Sequence, residues 1–378
     1  MRVAFVDGQL YEYRLPFLQA LQERVDGLHV YVAGLGFDLP ETRLLSSGLN
    51  VSLLRHISVD RKLRYPLGFT EVARLDLPWT VLRDLSRFQP DAVLSSEMGF
   101  RTIQAAAFRR AHPECQLVLW ARLSEYTEAG RGMTRKLLRR VLAGHADAII
   151  TNGLSGHKYL VGLGVNAQRV HVIHQASTIG MGPHSRSAPQ GPLRLLFVGR
   201  LVTSKGLHLL LHALQGYPPG RWALTVAGDG PERESLRAFA SRRHLPVEFA
   251  GFVPRDSLAQ LFADHDVLAF PTLKDEWGLV VGEALRAGLP VLGSVYSEAV
   301  CELVEDGATG WIMKPDSQQS IAFGLDRAFT ATSAELRRAR TLARESVQQL
   351  TPEVMADRFL DVLQAARTAA APDRIGVR

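Results

Sequence analysis

Residues 270–294 read FPTLKDEWGLVVGEALRAGLPVLGS. The apolar run VLAF (267–270) ends at Phe270-Pro271, and a charged loop carrying Asp275 and Glu276 follows. Gly278 then opens a nearly apolar helix, 279–287, and a second apolar run begins at Val291. Strand, loop, helix and strand within about thirty residues are one βαβ unit, and its continuous apolar strands belong to a parallel sheet buried on both faces. The same alternation extends on both sides. Upstream, LRLLFV (193–198), ALTVA (223–227) and VEFA (247–250) read as strands, with helices near 205–215, 231–243 and 256–262. Downstream lie helical patterns at 317–329, 333–348 and 352–368. The first half repeats the scheme with strands at 3–6, 28–32, 51–54, 92–95, 117–120, 148–151 and 170–173, and with helices such as 102–111 and 133–143.

Between the halves, Ser177 to Pro192 is rich in Gly, Pro and Ser and has no period, as a linker would be. The expected domains are 1–176, a linker 177–192, 193–350, a closing helix 351–370 packed on the first domain, and a tail 371–378. The fold class is α/β: two doubly wound Rossmann-like domains facing a cleft. Ligands of such sheets bind beyond the carboxyl ends of the strands, so the loops that follow strands are the ones to read.

With 378 residues, 46% hydrophobic and 22% charged, the chain is an ordinary globular sequence rather than a disordered one or a coiled coil. No apolar run approaches the roughly 18 residues of a membrane span, and MRVAFVDGQL reads as a first strand rather than a signal peptide. Cys115 and Cys301 are too few for a disulfide framework or a zinc site and fit a reducing, cytoplasmic setting. The net charge of +6 lies wholly in residues 1–180, which hold 22 Lys and Arg against 16 Asp and Glu. Within that half, RGMTRKLLRR (131–140) places five cations on a helix with Met133, Leu137 and Leu138. It reads either as a solvated face or as peripheral contact with an anionic membrane, at the inner face of the plasma membrane.

Three strand-end loops of the second half carry chemistry. In FVGRLVTSKGLHLLLHAL (197–214) the strand ends at Gly199, Arg200 offers a planar fork of donors, and Lys205 opens a helix, a combination that suits a diphosphate. AGDGPERESL (227–236) sets Gly228-Asp229-Gly230 in a strand-to-helix turn, and GFVP (251–254) supplies Phe252 and Val253. These two are either structural turns or the lining of a nucleotide pocket. Glu283 lies in an apolar helix, where a carboxylate is costly without partners. A ribose diol would supply two donors; a structural arginine is the alternative. Asp275 projects from the loop, and the free amides of Gly278, Leu279 and Val280 suit phosphate oxygens. Asp264-His265-Asp266 spells a DxD but stands just before a strand, which points to a structural role. No His cluster has metal-ligand spacing, so neither a metal nor a cofactor is expected.

In one order, GR-x4-K, AGDGP, GFVP and the D-E-W-G-L-V-V-x-E-A-L-x-A-G-x-P-V block over residues 193–315 resemble the donor domain of retaining GT-B glycosyltransferases of family four. That family carries Glu-x7-Glu; here Asp275 and Glu283 hold the positions, and Trp277 stands where Phe is usual. The resemblance implies a nucleotide-diphospho-sugar donor, with Arg200 and Lys205 on the diphosphate, Glu283 on the ribose and Asp275 on the donor sugar. It makes Asp275, Lys205 and Arg200 the catalytic set. The opening YEYRLPFLQAL (11–21) is similar to family members whose first loop reads Tyr-Arg-x-Pro-Phe, which turns Tyr13 and Arg14, beyond Gly8, toward the acceptor. Many relatives place a His after the fourth or fifth strand. Here LVLW is followed by ARLSEYTEAG, and Arg122, Ser124 or Glu125 take that place, with Glu97 a further candidate. By the same analogy the acceptor is a bacterial cell-surface glycan or its lipid-linked precursor, with a small-molecule metabolite as the alternative. A dinucleotide oxidoreductase would need G-x-G-x-x-G after a strand and a nucleic-acid binder a recognisable module; neither is present.

Overall fold

The computed structural model describes residues 1–179 and 191–369. The expected linker falls largely, and the tail wholly, outside the described residues. The chain divides into two compact units: Met1–Leu63, Glu71–Ser177 and the chain from Thr351 onward; and Arg64–Thr70 with Thr178–Leu350.

The strands of the first unit are β1 (Arg2–Leu10), β2 (Gly27–Leu35), β3 (Asn50–Leu53), the two arms of a hairpin, β4 (His56–Arg64) and β5 (Thr70–Pro78), then β6 (Ala92–Ser96), β7 (Gln116–Ala121), β8 (Ala148–Thr151) and β9 (Val170–Val172). Its helices are α1 (Leu15–Gln22), α2 (Glu41–Ser46), α3 (Val81–Phe88), α4 (Phe100–Ala111), α5 (Glu125–Glu128), α6 (Met133–His145) and α7 (Leu154–Gly162). Seven strands form one sheet in the order β3-β2-β1-β6-β7-β8-β9, parallel throughout. The central strands β6, β7 and β8 are buried at every position, which explains the apolar runs that make up most of each.

The second unit holds β10 (Leu193–Val198), β11 (Trp222–Ala227), β12 (Val247–Gly251), β13 (Val267–Phe270), β14 (Val291–Ser294) and β15 (Gly310–Met313). Its helices are α8 (Leu207–Leu214), α9 (Arg233–Arg242), α10 (Arg255–Ala263), α11 (Leu279–Arg286), α12 (Glu298–Leu303), α13 (Gln318–Thr330) and α14 (Ser333–Ser346). The sheet order is β12-β11-β10-β13-β14-β15, again parallel, with an apolar cluster on each face. Each sheet therefore has one point where the strand order reverses, at β1/β6 and at β10/β13. The last helix, α15 (Pro352–Ala369), returns to the first unit. Phe359 packs 4.8 Å from Phe17 and 5.1 Å from Trp120, and Asp357 pairs with Arg24 at 2.6 Å.

Three differences from the sequence reading have plain causes. The arms β4 and β5 lie outside the main sheet and are broken by seven charged residues in eighteen, so no apolar run marks them. Strand β15 has only four residues. Lys205 does not open a helix: it closes a 3-10 turn, Thr203–Lys205, and α8 starts after Gly206. Gly206 has φ +70°, and a Cβ there would stand 2.0 Å from the Pro271 carbonyl oxygen, so turn and helix are separate elements.

A buried carboxylate fixes α6. Glu128, at the end of α5, accepts two hydrogen bonds from Arg135 at 2.9 Å, is approached by Arg139 at 3.3 Å, and takes the Tyr159 hydroxyl at 3.4 Å. Burial alone would raise its pKa, but the Arg135 hydrogen bond and the charges of Arg139 and Arg135 outweigh it and hold the carboxyl below the ordinary value. Glu128→Gln is expected to destabilise the fold by about 3–5 kcal/mol at neutral pH, since it leaves two guanidiniums without their counter-charge. A depressed carboxyl stabilises above its unfolded pKa and loses that contribution as pH falls through the folded value. Urea melts of variant and wild type should therefore converge in acid; a gap as wide at about pH 3 as at about pH 7 would contradict the assignment.

Candidate active site

In the second unit three strand-end loops are tied together by their backbones. After β10, the Gly199 amide donates to the Ala227 carbonyl at 3.0 Å and the Leu201 amide to the Asp229 carbonyl at 2.9 Å. The Glu232 amide returns to the Leu201 carbonyl at 3.0 Å, and the Gly228 amide reaches the Gly251 carbonyl at 2.7 Å. The GR, AGDG and GFVP segments are therefore one connected rim at the carboxyl edge of the sheet. Arg200 is exposed on it. Asp229 is exposed too, holding the Gly230 amide at 2.7 Å and Arg233 at 3.3 Å. Phe252 is exposed and Val253 half-buried.

At the point of strand reversal, the loop after β13 meets the turn after β10. The Leu273 amide donates to the Ser204 carbonyl at 2.7 Å, and the Thr272 hydroxyl donates to the same oxygen at 3.1 Å. This stitch brings the Lys205 ammonium to 2.5 Å from an Asp275 carboxylate oxygen, across 70 residues of chain. The other Asp275 oxygen accepts the Trp277 amide at 3.3 Å. Trp277 is buried, and its carbonyl takes the Ser297 hydroxyl at 2.6 Å and the Ala299 amide at 2.9 Å. Gly278 then turns the chain into α11 with φ +101°; a Cβ there would lie 2.6 Å from the Ser297 oxygen. Its N-cap is a glycine, and among the described residues no side-chain cap bond is formed there. The amides of its first turn, Leu279 and Val280 among them, lie beyond the intrahelical ladder and carry the positive end of the helix dipole.

Glu283 is buried on α11, and the guanidinium of Arg255, the first residue of α10, stands 3.5 Å from its carboxylate. Of the two partners the sequence left open, the arginine is present in the fold, and Arg255 itself was not singled out by sequence. Of the DxD acids, Asp264 is half-buried and accepts the Gln260 amide at 3.0 Å. Asp266 is fully buried, 2.8 Å from Arg340, and accepts the Arg194 amide at 3.0 Å.

The strand reversal of the first unit holds a charge cluster. Asp7, on β1, is fully buried; it pairs with Arg14, lies 3.2 Å from Arg122 and accepts the Gly8 amide at 2.6 Å. Glu97, just after β6, pairs with Arg101 and stands 3.1 Å from Arg122. Glu97 has φ +68°, a left-handed conformation costing a non-glycine residue roughly 1–2 kcal/mol. Its side chain, 47% exposed, is the open member of the cluster.

Two acceptor-side expectations are corrected here. Arg14 is 1% exposed and packs over Tyr13 and Trp120, so it is an internal strut of β1 rather than a group facing an acceptor. Ser124 is fully buried as the cap of α5, its oxygen accepting the Thr127 amide at 3.1 Å. Tyr13 is half-buried against Tyr11, Glu125 is exposed, and Gly8 lies beside the Arg101 guanidinium. Asp7 and Arg101 escaped the sequence reading; the signal for Asp7 was a charge closing an apolar strand run.

Residues 184–345 match the glycosyl transferases group 1 family. The chain is similar to the putative colanic acid biosynthesis glycosyltransferase WcaL of Salmonella typhimurium, 31% identical over 175 residues, 44% of this chain and 43% of that protein. It is also similar to the amylovoran biosynthesis glycosyltransferase AmsK of Erwinia amylovora, 29% identical over 181 residues, again 44% and 43%. The matched stretch thus spans less than half the length of either relative. Among solved structures, Anabaena HepE in complex with UDP has a TM-score of 0.76 at 19% identity, covering 97% of this chain and 100% of that one. The family match lies in the second unit, while the likeness in fold, that of the GT-B glycosyltransferases, runs through both. Residues 184–345 thus resemble the glycosyl transferases group 1 family, and the chain carries the GT-B fold.

Proposed function

We propose that this protein is a retaining glycosyltransferase that takes a sugar from a nucleotide-diphospho-sugar and passes it to a hydroxyl group during cell-surface polysaccharide or lipid-linked glycan assembly. The observation that carries the reading is the Lys205–Asp275 pair, held at 2.5 Å beside the start of α11 in the stretch that matches the group 1 family. Support for the donor class comes from HepE, solved with UDP and also with UDP-glucose. Support for the pathway comes from the names of WcaL and AmsK, which tie those proteins to two polysaccharides.

In this reading Arg200, Lys205 and the amides at 278–280 stabilise the negative charge that develops on the departing diphosphate, the term that dominates such chemistry. Asp275 orients both the donor sugar and the Lys205 ammonium. Glu283, steadied by Arg255, takes the ribose hydroxyls. No metal is required, because two cations and a helix N-terminus supply the positive charge. Glu97, aimed by Arg101 and Arg122, is the acceptor-side carboxylate that receives the incoming hydroxyl. The acceptor's membrane location accords with the positive charge gathered in residues 1–180.

Nucleotide release from a panel of UDP, GDP and ADP sugars tests the activity as a whole. Lys205→Ala should cut turnover at least tenfold, the loss expected when a charged hydrogen bond of about 1.5–3 kcal/mol is removed. Because Lys205 and Asp275 form a pair, Lys205→Ala and Asp275→Asn should combine to much less than the product of their separate losses. Full turnover in a folded Lys205→Ala protein, or independent losses, would sink the paired role.

Calorimetry separates the two acids. Glu283→Gln should weaken binding of nucleoside diphosphate alone, whereas Asp275→Asn should impair turnover with the full donor far more than it weakens the nucleotide. Equal weakening of the nucleotide by both would refute the division of labour. Activity is also expected to persist in excess EDTA; abolition by EDTA with rescue by magnesium or manganese would overturn metal independence.

A further inference from the structure

We propose that the outer face of α6, continued by α7 and the turn after it, docks the protein onto an anionic lipid bilayer. This deepens the membrane contact read above by naming the surface.

Helix α6 has four cations and no acid. The fold sorts those cations by direction. Arg135 and Arg139 turn inward to Glu128, and Arg139 also reaches the Met98 carbonyl, so these two anchor the helix. Lys136 and Arg140 remain exposed on the outer side. Beside them run Met133, Leu137 and Val141, spaced four residues apart and 75%, 63% and 48% exposed. The helix already buries Leu142 and Ala143 on its inner side, so three more large apolar side chains in water serve no packing need of this unit.

The surface continues past α6. The Arg140 guanidinium lies within 3.8 Å of where a Cβ on Gly164 would stand, in the turn after α7. On α7, Leu154 and Val161 are exposed aliphatics and Lys158 is exposed. From Ala129 to Leu163 the sequence holds six cations and one acid, Asp147, and that acid is bound by Arg109 at 3.1 and 3.2 Å. With Arg135 and Arg139 answered by Glu128, the exposed Lys136, Arg140 and Lys158 beside the aliphatic stripe complement a sheet of anionic headgroups above acyl chains. The long basic side chains can reach the headgroups while their stems and the stripe enter the apolar boundary. The face offers Met, Leu and Val rather than the aromatic anchors that dominate protein interfaces. Among the described residues no helix is long and apolar enough to cross a membrane, so the contact is peripheral.

The test is co-sedimentation of the full chain with equimolar phosphatidylcholine–phosphatidylglycerol vesicles, against pure phosphatidylcholine vesicles, without any sugar nucleotide. Binding is expected to the anionic vesicles only, and to fade as salt rises. Lys136→Ser with Arg140→Ser should weaken it roughly 30-fold, as about 1 kcal/mol per lost cation implies. Leu137→Ser with Val141→Ser should weaken it at every salt concentration. Both pairs lie outside the proposed catalytic machinery and should leave nucleotide release unchanged. Wild-type protein that ignores anionic vesicles at low salt overturns the proposal, as do variants that bind like wild type. A wild-type dimer that the Leu137→Ser, Val141→Ser variant disperses, with vesicle binding intact, would reassign the face to contact between copies. Sedimentation needs no donor, so this proposal and the glycosyl-transfer reading fail separately.

Discussion

One ammonium–carboxylate contact, Lys205 to Asp275, depends on the topology of the second sheet and organises what stands around it. Strands β10 and β13 are neighbours only because the strand order reverses between them. Their following loops therefore run side by side, and the Ser204 carbonyl accepts from both Thr272 and Leu273. Gly206 lets the backbones approach closely enough for that stitch. Asp275 in turn holds the Trp277 amide, Trp277 is buried against Ser297 and Ala299, and Gly278 fixes where α11 begins. The direction of the α11 amides is thus a consequence of the same contact. A change at Lys205 would act on both the local charge and the loop that aims the helix.

What was legible in the sequence was whatever repeats locally. Strands buried on both faces are largely apolar, so the runs within β6, β7, β8, β10 and β13 announced themselves and the parallel α/β class followed. The glycines and charged residues directly after those strands were legible as a rim, because the carboxyl edge of a parallel sheet is where a ligand can approach. Partnerships between distant residues were not legible. Nothing in the spacing of Glu283 points to Arg255, which lies 28 residues away on another helix. Likewise Arg14 and Ser124 read as loop groups facing a ligand, and only the fold shows one buried against Asp7 and the other consumed as a helix cap. The β4–β5 hairpin, broken by charges, lacked the continuous apolar run that betrays the main-sheet strands.

The first unit places its charges at its own strand reversal, in a different arrangement. Asp7 is enclosed, and a buried carboxylate persists only where opposite charges and hydrogen bonds offset its lost hydration. Arg14, Arg122 and the Gly8 amide supply them. Arg122 also serves Glu97, so the buried acid and the half-exposed acid share one guanidinium. That sharing gives Glu97 a fixed direction despite its exposure. The left-handed backbone at Glu97 is a local cost that the surrounding pairs hold in place, as at other sites where geometry matters more than local comfort.

Charge counted along a sequence is not charge presented by a surface, and α6 shows the difference. Five cations between Arg131 and Arg140 look like one basic patch. Two of them, Arg135 and Arg139, are bound to Glu128, and the depressed carboxyl of Glu128 keeps that neutralisation in force at neutral pH. What faces outward is a smaller charge set beside an aliphatic stripe, which changes the physics of any encounter. A purely cationic face would bind anions through a screened field alone. A face that joins Lys136 and Arg140 to Met133, Leu137 and Val141 adds apolar burial, which salt does not screen. The inward arginines supply the rigidity for this, holding the helix so that its two outer rows are displayed together.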